Sequence, residues 1–155
     1  MLMSDCCHFV KGLDPVADAF AGTVYSDVID IKNHRQVTFV VYKGVGTTGT
    51  STITVQAVAA LSPIVAGTAI AFKYRAITTG DTHGDLTTGA TTGFTTTAGS
   101  SQLYLIEVDC QKLASLGLRY LWLKAVEVVD SEVTGGILAI LSEPRYSTDH
   151  DTVIA

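Results

Sequence analysis

Three donor residues stand at alternate positions on one glycine-flanked stretch, Asp81, His83 and Asp85. Oxygen and nitrogen donors spaced in this way could close on a divalent cation. The stretch lacks the later Glu of a calcium loop and any second His, so the residues are read as solvating a turn and no metal is assigned. Cys6, Cys7 and His8 offer softer donors, but adjacent cysteines usually cannot reach around one ion. With Cys110 standing alone, the three cysteines write no disulfide framework and are expected as reduced thiols of a chain that folds in a reducing cytoplasm.

Gly44-Val45-Gly46-Thr47-Thr48-Gly49 spells G-x-G-x-x-G after a strand pattern. A dinucleotide site needs a helix to open at that loop, so that its first N–H groups face the pyrophosphate. Here the chain goes on as Ser51-Thr52-Ile53-Thr54-Val55-Gln56-Ala57, a strand pattern, and the next acid is Asp81, too far on for the ribose contact. The stretch is read as a hairpin turn in which Gly44, Gly46 and Gly49 supply positive φ. Acyl transfer would need an activated serine, and none sits in a G-x-S-x-G turn. His8, His34, His83 and His150 are far apart in sequence. Glu107, Asp109 and Glu127 lie on strands, where a glycosidase could hold two carboxylates, and a solvated strand face accounts for them equally. Trp122, among alternating leucines, reads as core rather than as a sugar platform. The chain is read as a non-enzyme, with no catalytic, metal or cofactor-binding residue.

The elements around these residues alternate with period two. In Asn33 to Ala57, Val37, Phe39 and Val41 share one face, and Ile53, Val55 and Ala57 repeat the pattern beyond the glycines. Val24 to Ile31 is a weaker strand candidate. Ala69 to Ile77 is the clearest, placing Ile70, Phe72, Tyr74 and Ala76 towards the core and Ala71, Lys73 and Arg75 away from it. Leu103 to Asp109, Leu118 to Val129 and Ile137 to Leu141 complete the set. Leu118 to Val129 is apolar on both faces, which predicts a strand covered on both sides. Leu61-Ser62-Pro63 and Val65-Ala66-Gly67-Thr68 read as connections. Asp14-Pro15 with Gly22 predicts a short helix over Asp14 to Ala21, and Asp109 caps a second, Cys110 to Leu116, stopped by Gly117. Thr78 to Ser101 is a threonine- and glycine-rich stretch in which Phe94 is the one large apolar anchor and Thr95 to Thr97 offer a short edge strand.

Strands separated by turns, with two short helical inserts, predict an all-β fold, an antiparallel β-sandwich of jelly-roll-like form. Residues 1–22 are expected to be an N-terminal arm with a short helix, 23–142 the sandwich, and 143–155 a polar C-terminal tail. The chain of 155 residues carries 16% charged residues, against about 25% in typical soluble domains. Its mean hydropathy is +0.35. Such a chain is expected to cover part of its apolar surface with a partner. A net charge of −5, with ten scattered Lys and Arg, argues against nucleic acid. No apolar run has the length of a membrane span, and Asp5 interrupts the start as a signal peptide.

Gly12 through Tyr146 resembles a group of small virion proteins of tailed bacteriophages, the head decoration or cement proteins. The matching segments are GLDPVADAFAGTVYSDVIDI, VTFVVYKGVGTTGTSTITVQA, AIAFKYRAITTGDTHG, TTAGSSQLYLIEVD and LKAVEVVDSEVTGGILAILSEPRY. The resemblance implies a structural protein without an active site, synthesised in the host cytoplasm and bound to the outer surface of the capsid. It implies the major capsid protein as partner and a homo-oligomer, a trimer at three-fold positions. A tail or neck component of the same virion is the alternative, with a carbohydrate-binding module behind it.

Overall fold

Two antiparallel sheets pack face to face in the computed structural model, which describes residues 2–61, 67–146 and 153–155. The chain runs through a one-turn helix α1 (Met3–Cys6), β1 (Cys7–Val16), β2 (Thr23–Tyr25), β3 (Ile29–Asp30), β4 (His34–Gly46) and β5 (Thr50–Val58). It continues through β6 (Thr68–Ile70), β7 (Phe72–Ile77), β8 (Thr87–Gly89), β9 (Phe94–Thr95), β10 (Gln102–Asp109), helix α2 (Cys110–Ser115), β11 (Tyr120–Val129) and β12 (Val133–Pro144). The first sheet has the order β1-β12-β4-β10-β7-β8 and the second β2-β11-β5-β6, with β3 also on β11 and β9 also on β5.

The pairings nest. β1 pairs with β12, β2 and β3 with β11, β4 with β10, and β5 with β6. An antiparallel ribbon rolled onto itself leaves this order, which is a jelly roll. The alternation read from the sequence fills the space between the sheets. Val37, Phe39, Val41, Tyr104, Ile106, Ala139 and Leu141 from the first sheet meet Ile53, Val55, Ala57, Leu121, Leu123 and Ala125 from the second, all buried.

Several expectations are corrected. β4 and β5 are not a hairpin: β4 pairs with β10 and β12, whereas β5 pairs with β11, β6 and β9. The glycine turn carries the chain from one sheet to the other. Its glycines are needed for close approach rather than for positive φ. A Cβ on Gly44 would lie 2.6 Å from Thr134 Oγ1, and one on Gly49 2.3 Å from the Ser131 carbonyl. Ala69 to Ile77 is likewise two strands in two sheets, crossing at Ala71. Alternation survives that crossing, since Ile70 and Phe72 are both buried, but it is silent about which neighbours a strand takes.

The helix over Asp14 to Ala21 does not form. β1 continues to Val16 with register shifts around Leu13, and Pro15 sits in that irregular stretch, where a missing N–H is tolerated. The chain then turns through Asp18, at φ 53°, to bury Ala19 and Phe20. The first 22 residues therefore contribute an edge strand and core side chains instead of a separate arm. Val24 to Ile31 is broken by buried Ser26, whose Oγ accepts from the Leu123 N–H at 2.9 Å. β12 begins at Val133, ahead of the predicted start at Ile137, and runs through Pro144 into the predicted tail. The tail returns to the sandwich, with Val153 buried and its carbonyl accepting from the Asp30 N–H at 2.7 Å. The connection at Ser62–Pro63 and Val65–Ala66 lies outside the described residues, as does His150.

Candidate docking face

The two outer faces of the sandwich differ in chemistry. On the second sheet, β5 turns Thr50, Thr52, Thr54 and Gln56 outward, and β11 sets Val126, Lys124 and Trp122 directly opposite the last three. The threonine hydroxyls join across strands, Thr52 Oγ1 lying 3.0 Å from Thr95 Oγ1. This face sets its hydroxyls beside apolar groups, Trp122, Val126 and the exposed Tyr25 opposite Lys124. It also corrects two expectations, since β11 is not covered on both sides and Trp122 is not in the core. Trp122 is half-buried on the outer surface, with Gly67 pressed against its ring: a Cβ there would come within 2.6 Å.

The first sheet turns apolar side chains outward. Around the central strand β4, Val40 is flanked by Leu138 of β12 and Leu105 of β10, and the next row sets Tyr42 between Gly136 and Leu103. A third row holds Phe9, Ile140, Thr38 and Glu107. Leu138 is 48% exposed, Tyr42 51% and Phe9 48%. Beside them a groove of about 520 Å³ runs between Leu13, Pro15 and Val16 on one wall and Val40, Tyr42 and Leu138 on the other. Its floor depends on glycine, because a Cβ on Gly136 would lie 3.0 Å from the Leu13 carbonyl. Lys11 on β1 and Lys73 and Arg75 on β7 border the face, and Glu107 of β10 lies within it, opposite Lys73.

A buried cation holds one end of the sandwich together. Lys43 continues the inward phase of Val37, Phe39 and Val41 and is 2% exposed. Its Nζ donates to the Thr97 carbonyl at 2.6 Å, the Gly49 carbonyl at 3.0 Å and Gln102 Oε1 at 3.4 Å. Tyr104 Oη donates to the same Gln102 oxygen at 2.9 Å and accepts from the Thr97 N–H at 2.8 Å. Desolvation pushes the ammonium pKa below its ordinary value. Lys43 is not among the residues the sequence singles out for chemistry, although its place in the alternation marks it as inward. This network fixes the far end of the Thr78 to Ser101 stretch, and Phe94 stacks on Tyr74 at 4.0 Å between ring centroids. Phe94 is thus the anchor expected of it, with Thr95 in an edge strand.

The residues weighed for chemistry do not converge. Asp81, His83 and Asp85 are exposed, and no group of three or more His, Cys, Asp or Glu is placed to hold a metal ion among the described residues. His8 and His34 come within 6.2 Å, ring to ring, while His83 stands on its own loop. Asp109 caps α2, accepting from the Gln111 and Lys112 N–H groups, and Glu127 accepts from the Gly22 N–H at 2.7 Å. Glu107 lies on the first sheet and Glu127 on the second. The Cys6 and Cys7 sulfurs lie 3.8 Å apart near the surface, whereas burial pushes the Cys110 thiol up to about 12. At the opposite end from Lys43, Arg119 makes a two-pronged contact with Asp30 at 2.5 and 3.0 Å. Burial of Asp30 opposes its ionisation, but the Arg119 hydrogen bonds and charge outweigh it and hold the carboxyl below its usual value.

Fold and surface define a jelly-roll sandwich with one apolar and one hydroxyl-rich outer face. No family model matches this chain, and no curated protein matches it in sequence. Among solved structures it is similar to the SPBc2 prophage-derived protein YomS, with a TM-score of 0.51 and 15% identity over 88% of this chain and 93% of that one. That likeness shows the fold. A chain from the structure of the Gx strain of infectious bursal disease virus aligns with a TM-score of 0.27 and 14% identity over 89% of this chain and 42% of its own length, which supports nothing further.

Proposed function

We propose that this chain is a structural virion protein that binds the outer surface of a phage capsid and stabilises it, acting as a small homo-oligomer. The observation that carries the reading is the apolar outer face of the first sheet, set against the hydroxyl-rich face of the second. A protein held permanently among other proteins needs one face that excludes water and another that keeps the assembly soluble. The fold shared with a prophage-derived protein supports a phage setting, and the resemblance to decoration proteins supports the shell as the place of binding. Binding only the assembled lattice stabilises it by mass action, and an oligomer that engages several subunits gains avidity when its geometry matches.

The test adds purified protein to undecorated expanded capsids, follows occupancy by sedimentation and microscopy, and then heats the particles. Saturable binding over the shell with a raised disruption temperature is expected. Density at the tail or neck alone would move the protein to that part of the virion, and no binding would overturn the reading.

A further inference from the structure

We infer that the outer face of the second sheet is a binding site for a neutral glycan, a platform of Trp122 and Tyr25 bordered by Gln56, Lys124 and Asp27. It lies on the opposite side of the sandwich from the apolar face of the first sheet and stands independently of the capsid reading.

Strand register assembles the site. Tyr25, Lys124 and Thr54 form one row across β2, β11 and β5, and Trp122 lies beside Gln56 in the next. Ser26 bonds to Leu123 and Ile29 pairs with Leu121, which leaves Asp27 and Val28 opposite Trp122 on its other flank. Tyr25 is thus diagonal to Trp122, about 8 Å away by the strand and residue spacings of a sheet. Tyr25 is 54% exposed, and Asp27 is exposed as well. The Gly67 backbone lies against Cζ2 and Cη2 of the indole, which holds the ring in place before any ligand arrives. Trp122 reads as core from its leucine neighbours, and its outward position is what makes the platform available.

The mixture of side chains selects the ligand. A sugar ring has C–H faces that stack on aromatic rings and a rim of hydroxyls that both donate and accept. A protein contact gathers apolar groups at its centre and leaves polar ones to the rim. Here each aromatic side chain has a polar one directly opposite, Lys124 against Tyr25 and Gln56 against Trp122. Those polar groups are open to a ligand. Among the described residues the Lys124 ammonium and the Asp27 carboxylate have no hydrogen-bond or ion-pair partner, and Gln56 commits one amide N–H to Thr54 Oγ1 at 3.4 Å. One carboxylate and one ammonium border the ring, so a charged ligand gains no net attraction there, and an uncharged polyol is the better match.

Trp122 is the single tryptophan of the chain, so its fluorescence reports on this site alone. The full chain is titrated with neutral oligosaccharides of glucose, galactose, mannose and N-acetylglucosamine, and run through gels containing the corresponding polysaccharides. At least one series should shift the emission and saturate, with a dissociation constant of roughly 0.1–1 mM, and its polymer should retard the protein. Tyr25→Ala and Gln56→Ala should each weaken binding about 3–10-fold with unchanged circular dichroism. Trp122→Ala should abolish the retardation, while Leu138→Glu on the first sheet should leave it unchanged. Emission and mobility unmoved by every series, binding confined to the polyanion heparin, or binding indifferent to both Tyr25→Ala and Gln56→Ala overturns the inference. Capsid binding is scored separately: a protein that binds shells and no glycan sinks the platform alone, and one that binds glycan and no shell sinks the capsid reading alone.

Discussion

Replacing Lys43 tests whether a buried ammonium held by carbonyl oxygens stabilises this sandwich or merely survives in it. Lys43→Ala removes three buried methylenes, worth about 0.8 kcal/mol each, or about 2.4 kcal/mol together. It also leaves the Gly49 and Thr97 carbonyls without their donor, at roughly 1 kcal/mol each because water can reach part of that site. The expected loss is about 4–5 kcal/mol. Lys43→Met keeps most of the apolar stem and removes the desolvated charge, so its loss should be nearer 2 kcal/mol. Urea unfolding followed by circular dichroism measures both. Hydrogen exchange should show faster opening at Thr97 and Ser101, whose N–H groups donate to Tyr104 Oη and the Gly44 carbonyl.

The pH dependence separates charge from shape. The folded-state pKa of Lys43 is below its ordinary value of 10.5, so the unfolded chain holds this proton more tightly. Stability from this site is therefore fullest above 10.5 and declines as pH falls through the lowered folded value. Relative to Lys43→Met, the native chain should gain stability as pH rises in the alkaline range. A Met variant at least as stable as the native chain at neutral pH would show that desolvation outweighs the three hydrogen bonds, and would refute the reasoning.

Deleting residues 1–22 should abolish cooperative unfolding, because it strips β1 from β12 and removes Phe20 from the core; a folded, soluble remainder would restore the arm. The thiol of Cys110, raised from 9.0 to about 12 by burial, contributes stability that is whole below pH 9.0 and lost as pH climbs towards 12. Cys110→Ala should flatten that alkaline loss in denaturant titrations. Gly93→Ala should cost about 3–5 kcal/mol, since its φ is +79° and a Cβ would lie 2.1 Å from the Ile53 carbonyl. Gly80→Ala, at φ +58° in open space, should cost only about 1 kcal/mol in the same thermal or urea assay.

Much of the inside was legible from the residues. A side chain's face is a local property, fixed by the two-residue repeat of an extended backbone. The buried sets Val37–Phe39–Val41, Ile53–Val55–Ala57 and Ile70–Phe72 therefore stand as read. The cap of α2 by Asp109 and its end at Gly117 are equally local. The same rule marks Lys43 as inward, in phase with Val37, Phe39 and Val41. Asp14-Pro15 carried every mark of a helix start and became strand, because a free edge of β12 offers more hydrogen bonds than two isolated turns can.

What the sequence by itself determined is an all-β chain with a core-facing set of residues and more apolar surface than that core consumes. It could not determine pairing, since β4 and β5 look the same as hairpin arms or as strands of opposite sheets. Only the tertiary structure decided that the glycine turn crosses between sheets, that Trp122 faces outward, and that Val40, Tyr42, Leu103, Leu105 and Leu138 gather on one outer face. Those facts depend on contacts between strands up to a hundred residues apart, where the free energy of burial is shared among all partners at once and no short stretch carries it alone.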